Sequence, residues 1–134
     1  MTKPYELTAT DAVKLLRNKD LSVFEWVSSC FERIREKENQ VKAWIYLDEE
    51  NALNKAKELD NSGDANIMGI PFGIKDIIDA SNVPSGLGTP FYKNNIPVRD
   101  AASVAVSKHA GCVFIGKTVF NIESPATINN VILQ

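Results

Sequence analysis

Gly69-Ile-Pro-Phe-Gly-Ile-Lys-Asp-Ile-Ile-Asp79 is the stretch on which the fold turns. It reads as a buried β-strand with one lysine, Lys75, set in its apolar run. Burying an ammonium is costly, and a buried lysine shifts toward its neutral form. A neutral lysine is a base, and a base implies a nucleophile nearby. Two readings of Lys75 follow. In the first, favoured by composition alone, the side chain snorkels from a strand end to water and Asp76 begins the turn. In the second, Lys75 removes a proton from a serine hydroxyl, as in Ser–Lys hydrolases.

Outward from this strand, helices alternate with short apolar runs. Thr8, with Asp11 three residues on, predicts a capped helix over 9–18. Ser22 and Glu25 form an S-x-x-E capping box for a second helix. Val23, Trp26, Val27, Cys30, Phe31 and Ile34 then recur at helical spacing, opposite Glu25, Ser29, Glu32, Arg33 and Glu36. The aromatic stripe is read as core. Residues 43–47 predict a strand, and Asp48 a cap for a helix bearing Ala52, Leu53, Ala56 and Leu59. Residues 61–66 read as a polar loop, and 81–100 as a longer one, ordered or partly mobile. Asp100 is expected to cap a helix running to Ala110, Gly111 to end it, and 112–115 to form another buried strand. Continuous apolar strands alternating with helices predict an α/β fold with helices on a mostly parallel sheet. Three strands leave open sheet edges, so the chain reads as the beginning of a larger α/β protein.

Bulk composition narrows the function classes. The 134 residues suffice for a core, and 44% hydrophobic with 24% charged residues indicate a globular chain. A net charge of -2 argues against nucleic-acid binding. No apolar run approaches the ~20 residues of a membrane span, and the first residues lack the apolar core of a secretory signal. Cys30 and Cys112 lie far apart without a CxxC partner, which fits structural free thiols in a reducing cytoplasm.

Gly111-Cys-Val-Phe-Ile-Gly-Lys-Thr118 matches G-x-x-x-x-G-K-[ST]. A phosphate loop follows its strand and precedes a helix. Here the middle residues are themselves strand-like and a helix precedes them, so Gly116-Lys117-Thr118 is read as the turn after a strand. Ser85-Gly-Leu-Gly-Thr-Pro90 is a glycine-rich turn too short to argue for phosphate. His109 stands near a helix end with no second metal ligand at suitable spacing. Asp76 and Asp79, three apart on a strand, are expected on opposite faces, which argues against shared acid–base work.

The block Gly69-Ile-Pro-Phe-Gly-Ile-Lys-Asp76 resembles the lysine segment of the amidase signature family. Leu7-Thr-Ala9, Leu21-Ser-Val-Phe-Glu25 and Cys30-Phe-Glu-Arg-Ile34 resemble that family's first two helices. Ala43-Trp-Ile-Tyr-Leu-Asp48 resembles its first strand. Gly88-Thr-Pro-Phe-Tyr92 and Asp100-Ala-Ala-Ser-Val104 resemble the loop and helix after the lysine. Ala110-Gly-Cys-Val-Phe-Ile-Gly-Lys-Thr118 resembles the next helix end and strand, which accounts for the match to a phosphate loop. The resemblance spans residues 7–118, and its blocks fall in the family's order and spacing. It implies the N-terminal part of an α/β/α amidase fold and hydrolysis of carbon–nitrogen bonds by a Ser–cis-Ser–Lys triad. Lys75 would be the lysine, with no metal or organic cofactor.

The family's Gly/Ser-rich segment, which supplies both serines and lies downstream of the Gly-Lys-Thr turn, has no counterpart here. Glu123 resembles the acidic residue after the turn, displaced by one position, and Ser124-Pro-Ala-Thr-Ile-Asn-Asn130 keeps a faint likeness. Ser81, Ser85, Ser103, Ser107 and Ser124 lie outside any Gly-Ser-Ser-Gly context, and none is assigned as nucleophile. Residues 1–134 are therefore expected to be a truncated amidase domain, inactive alone. The partner expected is a small-molecule amide: an aliphatic or aryl amide, a small urea, or the glutamine of a tRNA-dependent amidotransferase system. A homodimer or an amidotransferase-like complex is expected, without nucleic acid or membrane, in the cytoplasm. The alternatives are a non-catalytic interaction module derived from an amidase and a P-loop nucleotide-binding protein.

Overall fold

The computed structural model describes residues 2–64 and 67–119. The candidate residues Glu123 and Ser124, with everything after them, lie outside the described residues.

Two helices begin where their caps are written. Thr8 Oγ1 accepts the Asp11 amide at 3.2 Å and opens α1, Ala9–Asn18. Ser22 and Glu25 close a reciprocal capping box at the head of α2, Val23–Val41. Asp60 adds a cap from outside the helix, accepting the Val23 amide at 2.7 Å and the Phe24 amide at 3.0 Å. This carboxylate fixes the end of α3, Glu49–Asn61, against the start of α2. Ser29 departs from expectation. It is buried rather than on the polar face, because the 3₁₀ turn Pro4–Glu6 folds over it and the Tyr5 amide donates to its Oγ.

The sheet has three strands in the order β1-β3-β2: β1 Trp44–Leu47, β2 Pro71–Lys75 and β3 Val113–Thr118. The expected parallel pairing holds for β2 and β3, whereas β1 runs antiparallel to β3, so the sheet is mixed. The side chains of β1 alternate between half-buried and exposed, the pattern of a strand covered on one face. Trp44 lies across its neighbours. A Cβ on Gly73 would come within 2.6 Å of the Trp44 ring, and one on Gly116 would stand 3.0 Å from it and collide with the Tyr46 carbonyl. Only glycine gives the indole room on β2 and β3.

Helices α2 and α3 cover one face, where Val23, Val27, Phe31, Ala52 and Ala56 pack on Val113 and Ile115. On the other face, α4 (Ala102–His109) and the 81–100 loop pack Ala80, Val83 and Val104 on Ile74, with Phe72 and Phe114 edge to face beside them. The arrangement is the expected α/β/α layering. The loop is ordered by its own bonds: Asn82 N to Pro97 O, Ser85 N to Asn95 O, and Asn95 Nδ2 to Ser85 O.

Two expected caps are reassigned. Asp48 stands at the N-cap of α3, but its side chain accepts Asn51 Nδ2 and bonds no helix amide. Ala101, not Asp100, is the N-cap of α4. Asp100 instead accepts the Ser81 amide at 2.7 Å and two bonds from Lys108, tying the loop to the helix. Gly111 follows α4 at φ +78°, a left-handed conformation suited to glycine.

Candidate active site

Lys75 is the last residue of β2, and its side chain is exposed. The expectation of a lysine buried in the strand is corrected here. The strand ends at Lys75, Asp76 turns away, and Ile78 N bonds back to Lys75 O at 2.9 Å. The place is nevertheless one that matters in α/β folds. β2 and β3 are parallel, and Lys75 pairs with Thr118 at their carboxyl ends. Ligands of open α/β sheets bind outside the carboxyl ends of the strands.

The buried lysine is Lys117. Its side chain is fully buried, as are Asp76 and Ser85. Lys117 Nζ donates to the Asp76 carbonyl at 2.9 Å and to Ser85 Oγ, and stands 3.4 Å from Asp76 Oδ1. Three ammonium protons thus face three oxygens, the full complement of the group. The Asp76 carboxylate in turn accepts the Gly86 amide at 3.1 Å and the Gly88 amide at 3.2 Å. Leu87 and Gly88 both adopt positive φ, which curls these amides toward the carboxylate. The glycine turn is an anion nest filled from within the chain.

These positions revise several sequence readings. Gly116, Lys117 and Thr118 are the last residues of β3 rather than a turn after it. With Nζ enclosed and satisfied, Lys117 cannot reach a nucleotide phosphate, and the P-loop alternative loses its central cation. Asp76 is buried and Asp79 exposed, so the two do not form a carboxylate pair, although the turn rather than strand alternation separates them. Ser85 faces Lys117 inside the protein, where no substrate reaches it. His109 is exposed at the end of α4, and no group of three or more metal-ligating side chains occurs among the described residues. Cys30 and Cys112 are free thiols. Burial pushes Cys30 up to about 11 and raises Cys112, which makes both poor nucleophiles.

Lys117, Asp76 and Ser85 were not expected as a cluster. One signal was present, since Lys117 follows the apolar run 112–115 just as Lys75 follows its own. The missing piece was a register shift. β2 pairs Phe72 with Phe114 but Gly73 with Gly116, so Ile115 is an extra residue on β3. Such a bulge exchanges the two faces beyond it. Lys117 thereby leaves the face of Val113 and Ile115 and joins Ile74 beneath the loop.

A cleft of about 560 Å³ opens beside the cluster, with Ile45, Tyr46, Asp76, Gly86, Gly88 and Val119 among its lining residues. It includes part of the 81–100 loop. A second cleft of about 570 Å³ lies between the α1–α2 corner and the end of α3, remote from Lys75, and its Asp60 is engaged in capping α2.

A family model described as Amidase matches residues 25–124. The chain belongs to the Amidase family. One relative is a glutamyl-tRNA(Gln) amidotransferase subunit from Desulfotalea psychrophila, 36% identical over 123 residues. That match covers 89% of this chain and 25% of the relative. Among solved amidases, the peptide amidase of Stenotrophomonas maltophilia superimposes with a TM-score of 0.78 at 26% identity, over 87% of this chain and 26% of that one. Fatty acid amide hydrolase has the same fold over this region, with a TM-score of 0.80 at 21% identity, over 88% of this chain and 22% of that one. The chain spans about a quarter of the length of the curated relatives it matches. No helix among the described residues is long and apolar enough to cross a membrane.

Proposed function

We propose that these residues are the N-terminal segment of an amide-hydrolysing domain, with Lys75 as the general base of a Ser–cis-Ser–Lys triad. The observation that supports the role of Lys75 is its place, exposed at the carboxyl end of β2 and paired with Thr118, where the chain leaves β3. A segment continuing from Thr118 starts next to the lysine. In the proposed reaction a bridging serine passes its proton to the Lys75 amine and takes one from the nucleophilic serine. The serine oxygen attacks the amide carbon, the C–N bond breaks, and the leaving nitrogen collects the proton. Water then hydrolyses the acyl ester. None of the described serines fills these roles in this proposal, so the 134-residue chain alone is expected to be inactive.

The substrate is a small amide, and membership of an amidotransferase-like complex is supported by relatives that are named as glutamyl-tRNA(Gln) amidotransferase subunits. The test grafts this chain in place of the matching quarter of the Desulfotalea psychrophila protein and follows ammonia release from glutamine. The chimera is expected to be active and Lys75→Ala to lower its rate by at least about a thousandfold, the scale of losing a triad member. Equal rates with and without Lys75, or Lys75-dependent ammonia release by the isolated chain, would overturn the proposal.

A further inference from the structure

We propose that Lys117, with Asp76 and Ser85, is a positioning residue that holds the backbone next to Lys75 and the Gly86–Gly88 cleft wall in one fixed arrangement. The functional meaning of this rests on the reading of Lys75 as a base, but the geometry does not.

Three separate parts of the chain meet at one ammonium. Lys117 comes from β3, Asp76 from the residue after Lys75, and Ser85 from the loop, and all three are fully buried. The Asp76 backbone is held on both sides, its amide donating to Thr118 O at 3.0 Å and its carbonyl accepting Lys117 Nζ. The Asp76 side chain grips the glycine turn through the Gly86 and Gly88 amides. One residue therefore fixes the point at which Lys75 leaves the strand and the wall of the adjoining cleft. A buried ion pair is a poor source of net stability compared with an apolar filling, but its directional bonds admit a single geometry. The bulge at Ile115 serves the same arrangement, because without it Lys117 would face the helix-covered core.

Nuclear magnetic resonance of the isotope-labelled chain tests this without any activity. The neutral pair Asp76→Asn with Lys117→Met removes one charge of each sign and leaves the net charge unchanged. Ser85→Ala is the milder variant if the double one does not fold. Amide exchange at Val27 and Phe31 reports global stability, and exchange at Gly86 and Gly88 reports the turn. Both variants are expected to speed Gly86 and Gly88 at least tenfold beyond any change at Val27 and Phe31. The amide and Cε resonances of Lys75 are expected to shift or split into several conformers. Lys75 resonances that coincide with those of the parent chain, together with Gly86 and Gly88 exchanging in step with Val27 and Phe31, would reduce the cluster to simple packing and overturn the proposal. Failure of the grafted chimera would instead bear on Lys75 as a base and leave this geometry standing.

Discussion

The two faces of the β2–β3 pair are built on different principles. The face under α2 and α3 is filled by aliphatic and aromatic side chains around Phe31, and it owes its cohesion to removal of apolar surface from water. The face under the 81–100 loop has a smaller apolar cluster and encloses a lysine and an aspartate. Dispersion and burial tolerate many arrangements of similar volume. An ammonium with three oxygens tolerates few. The first face supplies stability, and the second fixes a loop and a strand end beside the candidate base. The contrast is sharpest between two lysines on neighbouring strands, Lys117 enclosed and Lys75 exposed.

The largest effect is expected where the enclosed pair is broken. Lys117→Met leaves the Asp76 carboxylate buried without its cation and should cost about 3–5 kcal/mol in urea unfolding, with Asp76→Asn added to it recovering a large part. A cost below about 1 kcal/mol for the single substitution would mean that both faces are held by packing alone.

The next effect belongs to the tie between loop and helix. Burial alone would raise Asp100, but the Ser81 amide and Lys108 outweigh it and hold the carboxyl below its ordinary value of 3.8. A lowered folded-state value stabilises the fold above the unfolded value, and this contribution is lost as pH falls through the folded one. Thermal unfolding followed from pH 6 down to pH 2 should show that loss below about pH 4. Asp100→Asn should remove it and cost roughly 1–3 kcal/mol at pH 7. An unchanged pH profile in the variant would detach Asp100 from the loop's stability.

On the helical face, Ser22→Ala removes one half of a capping box that Asp60 backs up. The expected cost is about 1 kcal/mol or less, measured by the same unfolding. The smallest effect is expected at the exposed lysine, where Lys75→Met should change stability by no more than about 0.5 kcal/mol. Together with the loss of activity expected in the chimera, that would separate the two lysines into one that builds and one that reacts. A large stability change at Lys75 would erase the distinction.

What the sequence made legible follows the range of each interaction. The caps of α1 and α2 rest on residues three apart, and both helix starts were readable from them. The apolar stripe of α2 was readable for the same reason, except at Ser29, whose burial depends on the distant Tyr5 segment. The acids before α3 and α4 had the right residue type for capping, yet their side chains serve other partners, and in Asp100's case those lie 19 and 8 residues away. The direction of β1 was hidden because an apolar run encodes burial, not the sense of its partner. Lys75 was found through resemblance, and the burial first ascribed to it belongs to Lys117 instead. Nothing local announces a bulge at Ile115, and that single extra residue decides which face receives the lysine.

The indole of Trp44 has a consequence for anyone scanning sequences. Gly116 is the glycine that completes the spelling of a phosphate loop, and a Cβ there would collide with the Tyr46 carbonyl and meet the Trp44 ring at 3.0 Å. The lysine beside it is sealed inside the protein. The signature is thus a homonym, in which the letters of nucleotide binding record a neighbouring strand that comes too close for a side chain.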